Sequence, residues 1–137
     1  MEAVVQNAIK FVKFTVTDCE FYVHKNIVMK DMDELEVKLQ FETHFNDSKP
    51  KEFSVEFDIK IWQDDKISIN SKAQSIFVTK EKMSEEFKKS NFTQINAPAI
   101  AFPFLRSFVQ TLCVNAGIAP IILPSFNFAE AVNNSQK

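Results

Sequence analysis

Two neighbouring segments in which apolar and polar residues alternate constrain the fold of this chain most strongly. Residues 35–45 carry an apolar side chain at nearly every second position, with charged or polar residues between them, and residues 53–61 repeat the pattern. Successive side chains of a strand point to opposite faces of the sheet, so each run has one buried and one solvated face. The polar residues 46–50 between them form a turn. The sequence therefore predicts two antiparallel strands.

The segments on either side are predicted to be strands with irregular pairing. The first strand changes its apolar phase between Val16 and Cys19, and the fourth strand changes phase between Ile69 and Ile76. A one-residue change of phase indicates a bulge or a bend. Residues 63–66 form the turn between the third and fourth strands. We therefore expect an α+β fold, in which a four-stranded antiparallel sheet is followed by helices that cover one of its faces.

One long helix is predicted after the strands. Pro103 suits a helix start, because its missing N–H has no helical partner there in any case. Gly117, the only glycine of the chain, suits a left-handed C-terminal cap, and Pro120 keeps the helix from continuing. Between these points, apolar residues recur at three- and four-residue spacing and are expected to face the sheet: Leu105, Phe108, Val109, Leu112 and Ala116. Shorter helices are expected at residues 81–90, with a Glu85–Lys89 pair, and at residues 129–132.

The composition limits the classes of function. The length of 137 residues fits a single domain spanning residues 1–137, and the formal net charge of −2 without a basic stripe does not favour nucleic acid as a partner. No apolar run approaches the roughly 20 residues of a membrane span, and residues 1–10 show no secretory signal pattern. We expect a cytoplasmic protein with two reduced, buried cysteines, Cys19 and Cys113. The 15 phenylalanines indicate either a Phe-rich core or an additional binding surface.

No catalytic arrangement is evident in the sequence. His24 and His44, the only histidines, lack the spacing of a metal site and are expected to be solvated. A chain with one glycine has no Gly-rich phosphate-binding loop. Asp64 and Asp65 fit a turn better than a catalytic carboxylate pair. We therefore expect no enzyme activity, no metal and no cofactor.

The connector between the first two strands is unusually apolar. Residues 25–32 are too many for a tight turn, and they contain four apolar side chains: Ile27, Val28, Met29 and Met32. Flexible Met side chains suit promiscuous apolar binding. Three interpretations remain open at this stage. The connector binds other polypeptides, folds over its own sheet, or docks on a neighbouring subunit.

Three runs around the long helix resemble the family of the protein-export chaperone SecB. They are APAIAFPFLR at residues 97–106, GIAP at residues 117–120 and PSFNF at residues 124–128. The most specific parts are the Phe-Pro-aromatic-x-Arg core that ends at Arg106 and the final Asn127-Phe128 pair. The chain departs from the family pattern at Ala101, where the family has Leu, and at Ala119, where it has Phe.

The resemblance implies an ATP-independent cytoplasmic holdase that keeps unfolded precursor polypeptides competent for export and translocation. It implies a homotetramer, built as a dimer of dimers, with helices at the subunit interface and apolar client grooves. The connector and residues 124–128 would border such a groove, which adds Phe126 and Phe128 to the client-binding candidates, with core packing as the competing interpretation.

The resemblance also bears on docking of the SecA motor, for which the family uses acidic residues on the outer surface of the sheet. Asp18 matches one of these, whereas Tyr22 and Asn70 stand where the family has acids. A related branch of SecB-like chaperones stabilises antitoxins, and that role remains an alternative. A domain that binds a small apolar ligand and a purely structural protein, whose apolar surface is consumed by subunit contacts, are further alternatives.

Overall fold

The computed structural model describes residues 9–135 as one antiparallel sheet with a helical layer on one face. The strands are β1 (Ile9–Val23), β2 (Glu36–Phe45), β3 (Glu52–Gln63) and β4 (Ile67–Thr79), in the spatial order β1-β4-β3-β2. A six-residue loop joins β2 to β3, and a three-residue turn joins β3 to β4. Residues 24–35 carry the chain from β1, at one edge of the sheet, to β2 at the other. The predicted α+β class with a four-stranded antiparallel sheet is confirmed.

The helical layer consists of one long helix and several short segments. They are α1 (Met29–Met32), α2 (Glu85–Lys88), a single π-helical turn (Phe92–Asn96), α3 (Ala97–Asn115) and α4 (Phe128–Ser135). The predicted terminal helix is confirmed and extends to Ser135, whereas α2 is shorter than the predicted 81–90. The Ser84 hydroxyl caps α2 by accepting from the Phe87 N–H at 3.1 Å, and Glu85 pairs with Lys88 at 3.1 Å instead of with Lys89.

Bulges interrupt β1 but not β4. The pairing of β1 with β4 skips one β1 residue at Val12 and another at Thr17, so the predicted change of phase after Val16 is confirmed as a bulge. The bulge predicted from the change of phase in β4 is wrong, because β4 pairs with β3 in one continuous register. Ser71 and Ser75 continue the buried face between its apolar residues.

The core lies between the inner face of the sheet and α3. The largest fully buried side chains of the sheet come from β3 and β4, and they pack with buried residues of α3 in one continuous cluster. The central members are Phe53, Phe57, Ile59, Ile61, Ile69 and Phe77 from the sheet, and Phe102, Leu105, Val109 and Cys113 from α3. The long helix is therefore the cover that the apolar spacing predicted.

The long helix begins six residues earlier than predicted. Pro98 occupies its first turn, and Pro103 lies inside the helix, where it removes one backbone hydrogen bond. The π-helical turn runs directly into α3, so no separate break precedes Pro103. The earlier start adds Ala101 and Phe102 to the buried face, while Ala116, predicted to be buried, is exposed at the end of the helix.

The C-terminal end of α3 has the predicted left-handed glycine cap. Gly117 has a φ of 82°. Its N–H donates to the Val114 carbonyl oxygen at 3.1 Å, and the Ile118 N–H donates to the Cys113 carbonyl oxygen at 3.0 Å. These two bonds form a Schellman motif, which pairs the last helical carbonyls and turns the chain back towards the sheet.

The two cysteines lie in different environments. Cys113 is buried as predicted, and this burial raises the pKa of its thiol above the usual value. Cys19 is exposed, contrary to the prediction. It sits on β1, an outermost strand, where the helical layer covers the inner face less completely than it covers β3.

Candidate functional site

Hydrogen bonds donated by backbone N–H groups hold the connector between β1 and β2 at its start and at its helical turn. The His24 N–H donates to the Lys66 carbonyl oxygen at 2.8 Å, which fixes the start of the connector beside the β3–β4 turn. Further along, the Val28 N–H donates to the Asp31 carboxylate at 3.0 Å, which closes the first turn of α1. The connector is therefore an ordered element, and its side chains have defined exposures.

The predicted client-binding residues of this connector separate into two groups. The side chains of Ile27 and Met32 pack against the core and are half-buried. Val28 and Met29 are 58% and 74% exposed. The interpretation that the connector folds over its own sheet thus holds for the first pair, and an apolar surface open to a partner remains at the second.

A second exposed apolar surface, formed by a single side chain, lies on the connector from α3 to α4. In residues 118–127, Ile121 and Leu123 are buried, whereas Ile122 between them is 75% exposed. Sequence reasoning did not single out Ile122. The available signal was the extended alternation after Pro120, which places Ile121 and Leu123 on one side and Ile122 on the other.

The two predicted phenylalanines at the end of this connector differ in burial. Phe126 is half-buried, and its ring meets that of Phe102 edge-to-face with centroids 5.1 Å apart. Phe128 is only 5% exposed, and its ring lies 4.9 Å from that of Phe41 and 5.7 Å from that of Phe102. Phe128 is therefore a core residue of the subunit, which favours the competing interpretation of core packing for this residue.

The outward side of α3 forms a third apolar surface. Ile100, Phe104 and Val114 are exposed there, and Phe104 stacks on Phe11 of β1 with centroids 4.8 Å apart. Arg106 is the only charged residue among the 19 of α3. By length and composition alone, the stretch Glu85–Asn115 is apolar enough to cross a membrane, a test that core helices also pass. The fully buried Leu105 and Val109 place α3 on the sheet as a core helix with an unusually apolar outer side.

The outer face of the sheet is mostly polar. Asp18, the predicted docking residue, is exposed there and lies directly opposite Lys72 of β4 in the strand pairing. Tyr22 is exposed on the same face, and Asn70 lies opposite Glu20. The single matching acid is therefore next to a lysine, and its neighbours on this face include a tyrosine and an amide.

A depression of about 860 Å³ lies on this polar face and reaches around β2. Six consecutive β2 residues, Leu39 to His44, line it together with Glu56 and Asp58 of β3. The His44 Nε2 atom lies 3.4 Å from a Glu42 carboxylate oxygen and 3.1 Å from one of Glu56. His44 is thus solvated as predicted, but it bridges two glutamates. Within residues 9–135, no group of three or more His, Cys, Asp or Glu side chains is placed to hold a metal ion.

Comparisons with known proteins agree with this fold. The family model for SecB, the preprotein translocase subunit, matches residues 5–137. The protein-export protein SecB of Neorickettsia sennetsu is 29% identical over 120 residues, which cover 80% of this chain and 73% of that protein. An uncharacterized protein of Methanocaldococcus jannaschii is 27% identical over 142 residues, covering all of this chain and 90% of that one.

A solved structure has the same fold at lower identity. The SecB-like chaperone Rv1957 of Mycobacterium tuberculosis, solved in complex with a ChAD peptide from the HigA1 antitoxin, superposes with a TM-score of 0.67. It is 15% identical, and the match covers 87% of this chain and 91% of that one. At this identity the likeness concerns the fold.

Proposed function

Because the chain belongs to the SecB family of preprotein translocase subunits, we propose that it is an ATP-independent holdase that binds unfolded polypeptides before export. The observation that carries this proposal is the exposure of Val28, Met29 and Ile122 on two ordered connectors. The family membership and the SecB-like fold support a chaperone, in agreement with the expectation from the sequence. An unfolded chain offers apolar side chains to any such surface without a sequence requirement.

The energetics of these contacts suit reversible holding. Full burial of one aliphatic or Met side chain contributes about 1.5–3 kcal/mol, before the cost of ordering the client. Several such contacts give useful affinity, and each one alone releases readily. The unbranched Met29 side chain also adapts to different client side chains.

We assign the client surface to the exposed Val28, Met29 and Ile122 and to the half-buried Ile27, Met32 and Phe126 of the same two connectors. These three pack against the core, so they hold the exposed residues in place and contribute their remaining exposed area. Phe128 is excluded from this surface because it is buried between Phe41 and Phe102.

The apolar outer side of α3 is assigned to subunit contacts, in a homotetramer built as a dimer of dimers in the cytoplasm. Ile100, Phe104 and Val114 are exposed in the single subunit. Ile100 and Phe104 lie one helical turn apart on the same side of α3, and an exposed apolar patch of this kind marks an interaction surface. A rigid helix suits a permanent interface better than a variable client, since its side chains hold one fixed arrangement.

Docking of the SecA motor, if the chain has this function, is assigned to Asp18 on the outer face of the sheet. Lys72 lies opposite Asp18 in the strand pairing, so the one matching acid has a lysine, and not a further acid, as its cross-strand neighbour. This observation favours a second candidate function, stabilisation of an antitoxin polypeptide, which requires the same client surface and no motor. A test for binding of SecA to the purified protein separates the two.

One experiment tests the holdase proposal directly. Light scattering gives the mass of the pure protein with and without a permanently unfolded polypeptide, and turbidity reports whether the protein slows aggregation of a model client without ATP. We expect a tetramer mass, a heavier complex with the unfolded chain, and slower aggregation. A protein that binds no unfolded chain and leaves aggregation unchanged would contradict the proposal. A copurified small apolar molecule in native mass spectrometry would instead favour a ligand-binding domain.

A further inference from the structure

Arg106 is the only charged residue between Lys89 and Glu130, a stretch that contains all of α3 and the connector from α3 to α4. Its side chain is half-buried, and its Nε atom is buried without a hydrogen-bond partner. The Cζ atom lies 5.0 Å from the centre of the Phe102 ring. Among residues 9–135, no carboxylate oxygen lies within 4.0 Å of the guanidinium nitrogens. A positive charge therefore stands in an apolar part of the subunit without a counter-charge from the described residues.

The contact with Phe102 satisfies this guanidinium only in part. The face of an aromatic ring attracts a cation, but a buried N–H without an acceptor remains unfavourable. A guanidinium carries five N–H donors in a planar fork, and this fork matches the two oxygens of a carboxylate. Hydrogen bonds between such charged partners are stronger than those between neutral groups. The chemistry that best completes the site of Arg106 is therefore a carboxylate.

Arg106 lies on the side of α3 that faces the connector from α3 to α4. Phe102 precedes it by one helical turn, and the Phe102 ring meets the ring of Phe126 edge-to-face with centroids 5.1 Å apart. Arg106 and Phe126 thus contact the same ring. Phe104 is two residues from Arg106 and so points to a different side of the helix, where it stacks on Phe11 of β1. Arg106 is therefore next to the client surface at Phe126 and not part of the exposed patch at Phe104.

We propose that Arg106 binds a carboxylate of the client polypeptide and selects segments in which an acidic group lies close to an apolar side chain packed on Phe126. This inference rests on the proposed function, because the occupant is a segment of a client. Charge complementarity identifies the occupant, since the one cation of this region has no counter-charge among the described residues. The carboxylate belongs either to an Asp or Glu side chain or to the C-terminus of the client. The formal net charge of the chain is −2, so the attraction is local to Arg106 and not a general property of the protein.

A double-mutant cycle between peptide and protein tests the pairing. The probes are nine-residue peptides of Leu and Ser with one central Phe, acetylated and amidated so that their ends carry no charge. Three of them place an Asp one, two or three residues after the Phe, and each has a counterpart with Asn at the same position. We expect at least one Asp peptide to bind the wild-type protein about three- to tenfold more tightly than its Asn counterpart. In Arg106→Gln this preference should disappear, because Gln offers no charge to the Asp side chain.

The control variants separate a local ion pair from a general change of the protein. Lys60→Gln is the matched control, because the Lys60 Nζ atom also lies over a ring, 5.1 Å from the centre of Trp62, but on the outer face of the sheet. It should leave the Asp preference unchanged. Arg106→Lys keeps the charge without the fork and should retain part of the preference. Added salt should reduce the preference of the wild-type protein, since charges that are partly exposed are screened. Circular dichroism checks that each variant is folded.

A further peptide identifies the source of the carboxylate. It carries Asn in place of Asp and ends in a free carboxylate directly after that position. If this peptide also binds more tightly than its amidated form, and Arg106→Gln removes the gain, the site accepts the end of a chain as well as an acidic side chain. If only the Asp peptides gain affinity, the site is specific for internal acidic residues.

The outcomes separate this inference from the proposed function. Equal binding of every Asp peptide and its Asn counterpart by the wild-type protein refutes it, and so does a preference that persists in Arg106→Gln. If Arg106→Gln lowers the mass of the oligomer in light scattering and leaves the preference intact, the carboxylate comes from a second subunit and the inference is wrong. If no peptide binds while an unfolded protein is still held in solution, the inference is refuted and the holdase stands. If neither binds, both proposals fall.

Discussion

Replacement of Gly117 by alanine tests whether the backbone conformation at the end of α3 contributes to stability. Gly117 has a φ of 82°, and a Cβ built at this position meets no atom within 4 Å. The cost of Gly117→Ala is therefore conformational, about 1–2 kcal/mol for an L-residue in the left-handed region. Reduced freedom of the unfolded chain returns about 0.4–1 kcal/mol. We expect a net loss of about 1 kcal/mol in the free energy of unfolding.

Urea unfolding at a fixed subunit concentration measures this loss, and Gly117→Asn is the matched comparison. Asparagine is larger than alanine but adopts the left-handed conformation more readily. If backbone strain determines the cost, the Asn variant loses less stability than the Ala variant. A greater loss for Asn, or no loss for Ala, would show that the Schellman bonds at Val114 and Cys113 are not what requires glycine here.

Three further predictions concern packing, the client surface and thiol reactivity. Leu105→Ala, at a fully buried site of α3, should lower the free energy of unfolding by about 2–5 kcal/mol. Leu112→Ala, at a half-buried site of the same helix, should lower it by clearly less. Equal losses for the two variants in urea titrations would contradict the described packing. Met29→Asp should leave the urea midpoint nearly unchanged and weaken suppression of client aggregation; loss of folding would instead make the connector a structural element. A thiol reagent should modify Cys19 in the native protein and Cys113 only after unfolding, because Cys19 is exposed and Cys113 is buried; burial raises the pKa of both thiols, so access rather than thiolate formation separates them, and mass spectrometry of the labelled peptides checks both.

The sequence predicted the sheet wherever a strand has one wet face. β2 and β3 alternate cleanly because their outer side chains are charged, so both strands and their turn are readable. β4 is harder, since Ser71 and Ser75 occupy buried positions that the pattern reads as polar. The Ser71 hydroxyl is satisfied by donating to the Asp18 carbonyl oxygen at 3.0 Å, and a bond to another strand cannot be seen in the sequence of one strand.

The start of α3 could not be read from proline alone. Pro98 and Pro103 both fit a helix whose first residues lack N–H partners, and proline also occurs inside a helix when its φ is compatible. The C-terminus was readable because one glycine and one proline stand in the required order. The C-terminus of α3 was therefore predicted correctly, because it depends on local backbone geometry. Its start was predicted six residues too late, because it depends on the π-helical turn that precedes it.

The candidate client surface was predictable as a region but not by residue. Four apolar residues of the connector looked equivalent in sequence, and tertiary packing then buried much of Ile27 and Met32 and left Val28 and Met29 exposed. Ile122 escaped notice because both of its neighbours are apolar as well. Burial depends on which elements lie above a segment, and composition does not contain that information.

The phenylalanines are distributed unequally between the two kinds of exposed surface in this subunit, the outer side of α3 and the connectors. Of the 15 phenylalanines, only Phe104 is exposed, and it lies on the outer side of α3 that we assign to subunit contacts. The exposed large apolar side chains of the connectors are Val28, Met29 and Ile122, all aliphatic or sulfur-containing. Stacked rings have few rotamers and hold one arrangement, as a core or a permanent interface requires. If subunit association covers Phe104 as proposed, clients contact the aliphatic and Met side chains of the connectors and not this ring. Contact between aromatic rings of the client and these aliphatic or Met side chains would then determine which clients bind best.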